Sequence, residues 1–330
     1  MAKSRSKPAS KGVACSFCGK KAVVHIPYSD QSLCEDHFTH SVERRAKRTI
    51  REYEMLDGAN HIAVAVSGGK DSQALLYLLH EIVSPMGIKL TAVLIDEGIK
   101  GYREKVIPEA KSLCKELRVP LKIITFKGSF KRSLDDIMRL RRKGENVNSG
   151  GKLGKTRQDA SCTYCGVLRR WLLNKATKRI GADRLALGHN LDDMVQSYMM
   201  NMLRNEQSLM RFNPVGGDAD DDTFVMRIRP LFRIPEKEIA LYAVLKGFKS
   251  TFVECPYVIE GFRPYVRDFI NGLESKYPGT KFKLLNSYLS TKDTLADAAG
   301  KKAGRPNACA SCGEPTSGKV CKCCELIRAL

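Results

Sequence analysis

No uninterrupted apolar run reaches the roughly eighteen residues that a membrane-spanning helix needs, which excludes a bilayer span from the 330-residue chain. Acidic residues are scarce. Against 56 lysines and arginines stand 36 aspartates and glutamates, a formal net charge of +20, so an anionic partner such as nucleic acid is favoured. The opening MAKSRSKPASKG is basic but leads into no apolar stretch. It therefore does not read as a secretory signal, and the expected location is cytoplasmic, with no membrane partner. There is one tryptophan, and no internal repeat is visible beyond the two end modules, which resemble each other only in being metal knuckles. With 43% hydrophobic and 28% charged residues the composition is that of an ordinary folded protein, long enough for about two domains.

Cysteine is plentiful. Twelve thiols in a chain without an export signal argue for metal, because reducing compartments rarely keep structural disulfides. Cys15, Cys18, Cys34 and His37 form a C-x2-C, C-x2-H set; Cys309, Cys312, Cys321 and Cys324 form C-x2-C, C-x2-C. Both patterns suit tetrahedral zinc, which folds small modules unable to bury enough surface alone. Cys323 is a spare that could replace Cys324, and His40 breaks the knuckle spacing that His37 keeps. Cys162, Cys165 and the distant Cys255 form a third group, one ligand short of a closed zinc site. They suit either an iron–sulfur cluster with one open iron or a thiol pair that forms a transient disulfide. Cys114 shares a helical face with Val106, Ala110, Leu113 and Leu117 and reads as core, as Trp171 reads as packing.

The chain divides into a basic tail (1–12), an N-terminal zinc finger with a linking helix (13–57), a catalytic domain (58–300) and a C-terminal zinc finger (301–330). HIAVAV (61–66), KLTAVLI (89–95), LKIITF (121–126) and RLALGH (184–189) are short strands separated by helical sequence, the pattern of a parallel sheet covered on both faces. Residues 139–157 read as a basic loop, 215–224 as an acidic turn and 261–279 as a helix closed by Pro and Gly.

SGGKDS (Ser67 to Ser72) lies between the first of these strands and a helix. Glycines there let backbone N–H groups face phosphate oxygens, the helix N-terminus adds positive potential and Lys70 adds a cation. The Walker A pattern is absent. GHNLDD (Gly188 to Asp193) follows the fourth strand and, at the same end of the sheet, should face the same crevice. Asp192 and Asp193 are placed to hold magnesium or act at the nucleotide.

SGGKDS resembles the PP-loop of ATP pyrophosphatases. Together with the terminal zinc patterns, DEGIKGYR (96–103), CTYCGVLRR (162–170), GHNLDD and Cys255, the chain from about residue 13 onward resembles the tRNA 2-thiouridine synthetases. That resemblance implies an α/β, adenine nucleotide alpha hydrolase-like fold with a doubly wound parallel sheet flanked by zinc fingers. It implies that ATP adenylates the uridine O2 and sulfur then displaces AMP. Ser67, Gly68, Gly69, Lys70, Asp71 and Ser72 would hold phosphates and Mg²⁺, with Gly188 and His189 beside the nucleotide. Cys162, Cys165 and Cys255 would bind a 4Fe-4S cluster whose open iron carries sulfide, and Asp193 and Arg169 complete the catalytic set. Two Zn²⁺ ions, tRNA, a sulfur donor (a ubiquitin-like thiocarboxylate protein or free sulfide) and a possible homodimer are the other expected components. The T-loop ribothymidine thiolases have lysine where this chain has Arg169. CGVLRR and MNMLR (200–204) look instead like the branch that acts on wobble uridine 34, with Arg141, Arg142 and Lys152 gripping the anticodon arm. The alternatives are a T-loop thiolase acting at position 54, a persulfide relay without a cluster, and a non-catalytic zinc-bearing RNA-binding protein.

Overall fold

The computed structural model describes residues 13–145, 160–205, 224–249, 253–257, 262–298 and 307–330. Near the N-terminus a hairpin, β1 (Val24–Ile26) and β2 (Gln31–Leu33), leads into α1 (Glu35–Glu52). The central part alternates β3 (His61–Ala65), α2 (Lys70–Val83), β4 (Lys89–Asp96), α3 (Arg103–Glu116), β5 (Leu121–Thr125), α4 (Phe126–Phe130), α5 (Leu134–Glu145), α6 (Ala160–Arg179), β6 (Arg184–Ala186), α7 (Leu191–Leu203) and β7 (Met226–Ile228). Helices α8 (Glu236–Leu245), α9 (Arg263–Lys276) and α10 (Thr280–Ala298) follow, then a second hairpin, β8 (Asn307–Ala308) and β9 (Pro315–Thr316), and α11 (Lys322–Arg328).

The five strands β3 to β7 pair in parallel in the order β5-β4-β3-β6-β7. This is the doubly wound α/β sheet expected from the sequence. Its strands read as near-continuous apolar runs because both faces are covered. In β3, Ile62 and Val64 pack against α1, α2 and α8, while Ala63 faces the opposite core with Phe126, Ile137 and Leu168. In β4 the division is the same, with Ala92 and Leu94 on one side and Val93 and Ile95 on the other. Chain order reverses at β3, whose neighbours are β4 and β6, and that reversal opens a crevice at the carboxyl ends of the strands.

The structure departs from expectation at three places. Residues 139–145 belong to α5 and not to a loop: Ser133 and Asp136 cap each other reciprocally, and Ile137 and Met138 are buried, so the charged run continues a helix already started. The rest of the expected basic loop, Lys152 included, lies outside the described residues, as do the basic tail and residues 215–223 of the expected acidic turn. β6 stops at Ala186, three residues short of the expected strand end. β7 was not expected at all, because three residues offer too short a pattern to read.

Candidate active site

Ser67 to Ser72 turn from β3 into α2. Gly68 adopts φ +91°, and a Cβ there would sit 2.2 Å from the Val106 carbonyl oxygen of α3, so both conformation and crowding require glycine. Gly69 caps α2 without a side-chain cap hydrogen bond, and among the described residues the helix N-terminus is open to an anion. Ser72 is turned inward and holds the loop itself: its hydroxyl donates to the Gly69 carbonyl at 2.8 Å and accepts from the Ser67 amide at 3.1 Å.

Lys70 Nζ donates to Asp71 Oδ2 at 3.1 Å and to Glu236 Oε1 at 2.7 Å. Burial works against its charge, but the two carboxylates outweigh it and hold the ammonium above its usual range. Glu236 opens α8, and its backbone N–H donates to Asp192 Oδ2 at 2.8 Å. Asp192 also pairs with buried Lys281. Asp192 is thus a buried anchor between α7, α8 and α10, and Asp193 is the more exposed carboxylate of the pair, 3.7 Å from the Arg263 guanidinium.

Asn190 and Asp193 form a capping box at the start of α7, and Asn190 Nδ2 donates to Asp71 Oδ1 at 3.3 Å, tying GHNLDD to SGGKDS. Burial raises the Asp193 carboxyl to about 6, opposed by Arg263 and reinforced by Asp71 and Glu236. Gly188 is packed on the same loop, its Cβ position 3.3 Å from the Asp71 backbone. The two motifs therefore meet, as their places on the sheet implied.

They border a cavity of about 680 Å³ lined by Ser67, Asp71 and Ser72 on one side and by Arg169, His189 and Arg229 among others on the other. Arg229 Nε donates to His189 Nδ1 at 3.2 Å, which leaves the imidazole proton on Nε2. The protein mass around His189, then the charges of Arg229, Arg169, Arg263 and Arg170, hold its pKa down to about 3, so the ring is neutral. Arg227 and Arg229 flank inward-facing Ile228, so strand alternation turns both guanidinium groups toward the cavity. Buried Glu97 balances part of this charge, with Arg103 Nε at 2.8 Å and Arg169 Nη1 at 3.7 Å. Sequence reading missed Glu236, Arg227, Arg229 and Arg263, since a lone charge carries no motif, and it quoted Glu97 within DEGIKGYR without giving it a role.

Cys162 and Cys165 lie in the first turns of α6, and Cys255 lies in the described segment 253–257. The thiols share one neighbourhood: burial pushes Cys165 up to about 12, and the charges of Arg169, Glu97, Cys255 and Cys162 also act on it. Among the described residues these three are not gathered within 4.8 Å of one another, unlike the two terminal sets. The wider triad fits a polynuclear cluster, which spreads its thiolates over several irons, better than it fits a single ion.

Cys15, Cys18, Cys34 and His37 bring their ligand atoms within 4.8 Å of one another, as do Cys309, Cys312, Cys321 and Cys324. The Cys321 backbone N–H, with those of Ser311 and Cys312, draws the Cys309 thiol down to about 6, toward the thiolate that binds metal. Cys323 turns away into the core beside Leu326. His40 bonds the Asp36 carbonyl through Nδ1 at 3.3 Å and is not part of the first set. Cys114 is buried, and burial lifts its thiol to about 11. Trp171 packs on Phe130.

Comparison with known proteins gives matches along nearly the whole chain. Residues 38–145 match a PP-loop domain, and residues 15–39 match the N-terminal LIM domain of the 2-thiouridine synthetase TtuA. A tRNA 2-thiolation protein of Haloferax volcanii is 35% identical over 96% of this chain and 98% of its own. A tRNA-5-methyluridine(54) 2-sulfurtransferase of Pyrococcus horikoshii is 33% identical over 94% of this chain and 92% of its own. Among solved structures, a U34-tRNA thiolase of Methanococcus maripaludis, determined with its 4Fe-4S cluster, is 32% identical with a TM-score of 0.72, covering 85% of this chain and 88% of that one.

Proposed function

Because the chain belongs to the tRNA 2-thiolation family, we propose that it is an ATP-dependent tRNA sulfurtransferase acting on the C2 oxygen of the wobble uridine. The observation that carries this reading is the uncapped N-terminus of α2 opening onto the same arginine-lined cavity as Arg169, beside the three-cysteine neighbourhood.

A urea-like carbonyl carbon is a weak electrophile. In the first step its oxygen attacks the α-phosphorus of ATP and pyrophosphate leaves; in the second, sulfur bonds to C2 and AMP departs. The N–H groups at the start of α2 and the Lys70 ammonium would bind the phosphates, and Asp71 with Asp193 would hold the Mg²⁺ that accompanies the nucleotide, which when bound supplies charge neutralisation. His189, neutral and with its proton on Nε2, offers a hydrogen bond without adding charge. Arg169 stays protonated at working pH, so it orients anions and does not shuttle protons. This separates the site from one built on a lysine, the residue the T-loop thiolases have at this position.

Cys162, Cys165 and Cys255 would hold the 4Fe-4S cluster. When bound, it supplies an open iron able to carry sulfide. Zn²⁺ at each terminal four-ligand set, a ubiquitin-like thiocarboxylate or free sulfide as donor, a cytosolic site of action and zinc modules flanking a catalytic domain of residues 58–300 complete the proposal.

Anaerobically purified protein, incubated with ATP and a tRNA transcript bearing a wobble uridine, is expected to release AMP and pyrophosphate in a tRNA-dependent manner, with about four irons per chain by metal analysis. Colourless, iron-free protein that thiolates at full rate would replace the cluster with the persulfide relay. Protein that binds tRNA but never turns over ATP would make it a non-catalytic RNA-binding protein.

A further inference from the structure

α1 has two faces with different work. Phe38, Val42, Ala46, Thr49 and Ile50 are buried against the body of the protein. On the opposite side His40, Arg44, Lys47, Arg48 and Arg51 are all exposed. At about 100° per residue, His40, Arg44, Lys47 and Arg51 fall within roughly 60° of one another, and at about 1.5 Å per residue the line extends about 16 Å along the helix. A solvated helix of an ordinary protein interleaves acidic residues at the i+4 positions. The acidic side chains beside the stripe are engaged elsewhere: Glu43, one turn before Lys47, pairs with Lys246 at 2.9 Å and accepts from the Tyr242 hydroxyl at 3.1 Å. Glu35 and Asp36 sit in the first turn, where they suit the helix dipole, and Asp36 already binds Lys20 at 2.8 Å. Glu52 is held by Arg233 at 2.6 Å, leaving Arg48 only a 3.8 Å approach to the same oxygen.

We infer that this stripe is a phosphate-binding surface for the tRNA substrate, with Arg44, Lys47 and Arg51 each meeting a backbone phosphate. The inference rests on the reading of the chain as a tRNA thiolase and says where the RNA lies. Three observations support it. The stripe's sign is complementary to RNA, and among the described residues Arg44, Lys47 and Arg51 have no ion-pair partner, an arrangement that serves no structural purpose on a rigid helix. Its C-terminal end is joined to the active site: Arg233, the partner of Glu52, lies three residues before Glu236, which holds Lys70. Its N-terminal end adjoins the first metal set, where Phe17 is 61% exposed and packs on His37 with ring centroids 5.4 Å apart, an aromatic surface available for stacking on an unpaired base.

The test is a salt titration. The triple variant Arg44→Gln, Lys47→Gln, Arg51→Gln keeps good helix formers on an exposed face and touches no core, ATP or metal residue, so its melting temperature and ATP affinity should match the parent. Binding of an unmodified tRNA transcript is followed by fluorescence anisotropy across a KCl series. The slope of log Kd against log salt is expected to shrink by about two to three units, with affinity near 0.1 M salt reduced about tenfold or more. An unchanged slope with parent-like affinity would overturn the surface while leaving the thiolase reading intact. Failure of the parent protein itself to bind tRNA would overturn both.

Discussion

At the scale of single residues, the phosphate loop is held by contacts that leave no room for substitution. Gly68→Ala must move the loop away from the Val106 carbonyl and strain φ, a cost of order 1–3 kcal/mol. Thermal unfolding should show the loss, and ATP affinity should fall with it. Lys70→Ala is expected to lower AMP formation by about 10²-fold or more, since one charge-stabilising donor is removed, while tRNA affinity stays within about twofold of the parent. Equal loss of tRNA binding in a parallel titration would mean that loop and RNA surface are not separate.

Asp193 gives a pH signature. Its carboxyl titrates near 6 in the folded chain against 3.8 ordinarily, so the folded state prefers the proton. That preference stabilises fully below pH 3.8 and is lost as pH rises through 6. Asp193→Asn should therefore flatten stability across this window and raise melting temperature relative to the parent above pH 6. A parent-like pH profile in the variant would contradict the assignment.

At the scale of elements, the two terminal modules are staples docked on different helices. The N-terminal hairpin is fixed through Tyr28, which donates to Glu238 of α8 at 2.6 Å. In the C-terminal module Glu314 accepts from Asn174 of α6 at 2.7 Å, and Cys323 and Leu326 enter the core shared with Leu168 and Leu172. The second module therefore braces the helix that carries Cys162, Cys165 and Arg169. Cys309→Ser should release about one metal equivalent per chain and loosen α6 in hydrogen exchange, while α2 and ATP binding remain intact. Fewer than two zinc atoms in the parent protein would contradict the two-module reading.

The elements also show why parts of the fold were legible. β3 and β4 announce themselves because burial on both faces makes them continuous apolar runs, and the ligand sets because metal fixes spacing. α5 and β7 were not legible: one hides its buried stripe in a basic sequence, the other is three residues long. For the same reason SGGKDS and GHNLDD could be placed in one crevice, whereas Glu236 and Arg229 gain meaning only when tertiary packing brings them to Lys70 and His189.

At the scale of the molecule, a chain of net charge +20 gathers positive charge in a cavity of arginines and along the exposed face of α1. A charged cavity alone would bind nucleotide; a charged outer face brings and orients a long polyanion. Wobble and T-loop uridines present the same C2 carbonyl, so chemistry at the phosphate loop cannot choose between them. Access does: an anticodon base is unstacked and enters a pocket readily, whereas a T-loop base is held in the tRNA elbow and must be extracted. The most direct measurement is nucleoside mass spectrometry of tRNA, with positions resolved, from cells lacking this protein and from cells carrying it. The 2-thio group at the wobble uridine should vanish in the former and return in the latter, with T-loop nucleosides unchanged; loss of thiolation in the T loop with an intact wobble 2-thiouridine would contradict the account.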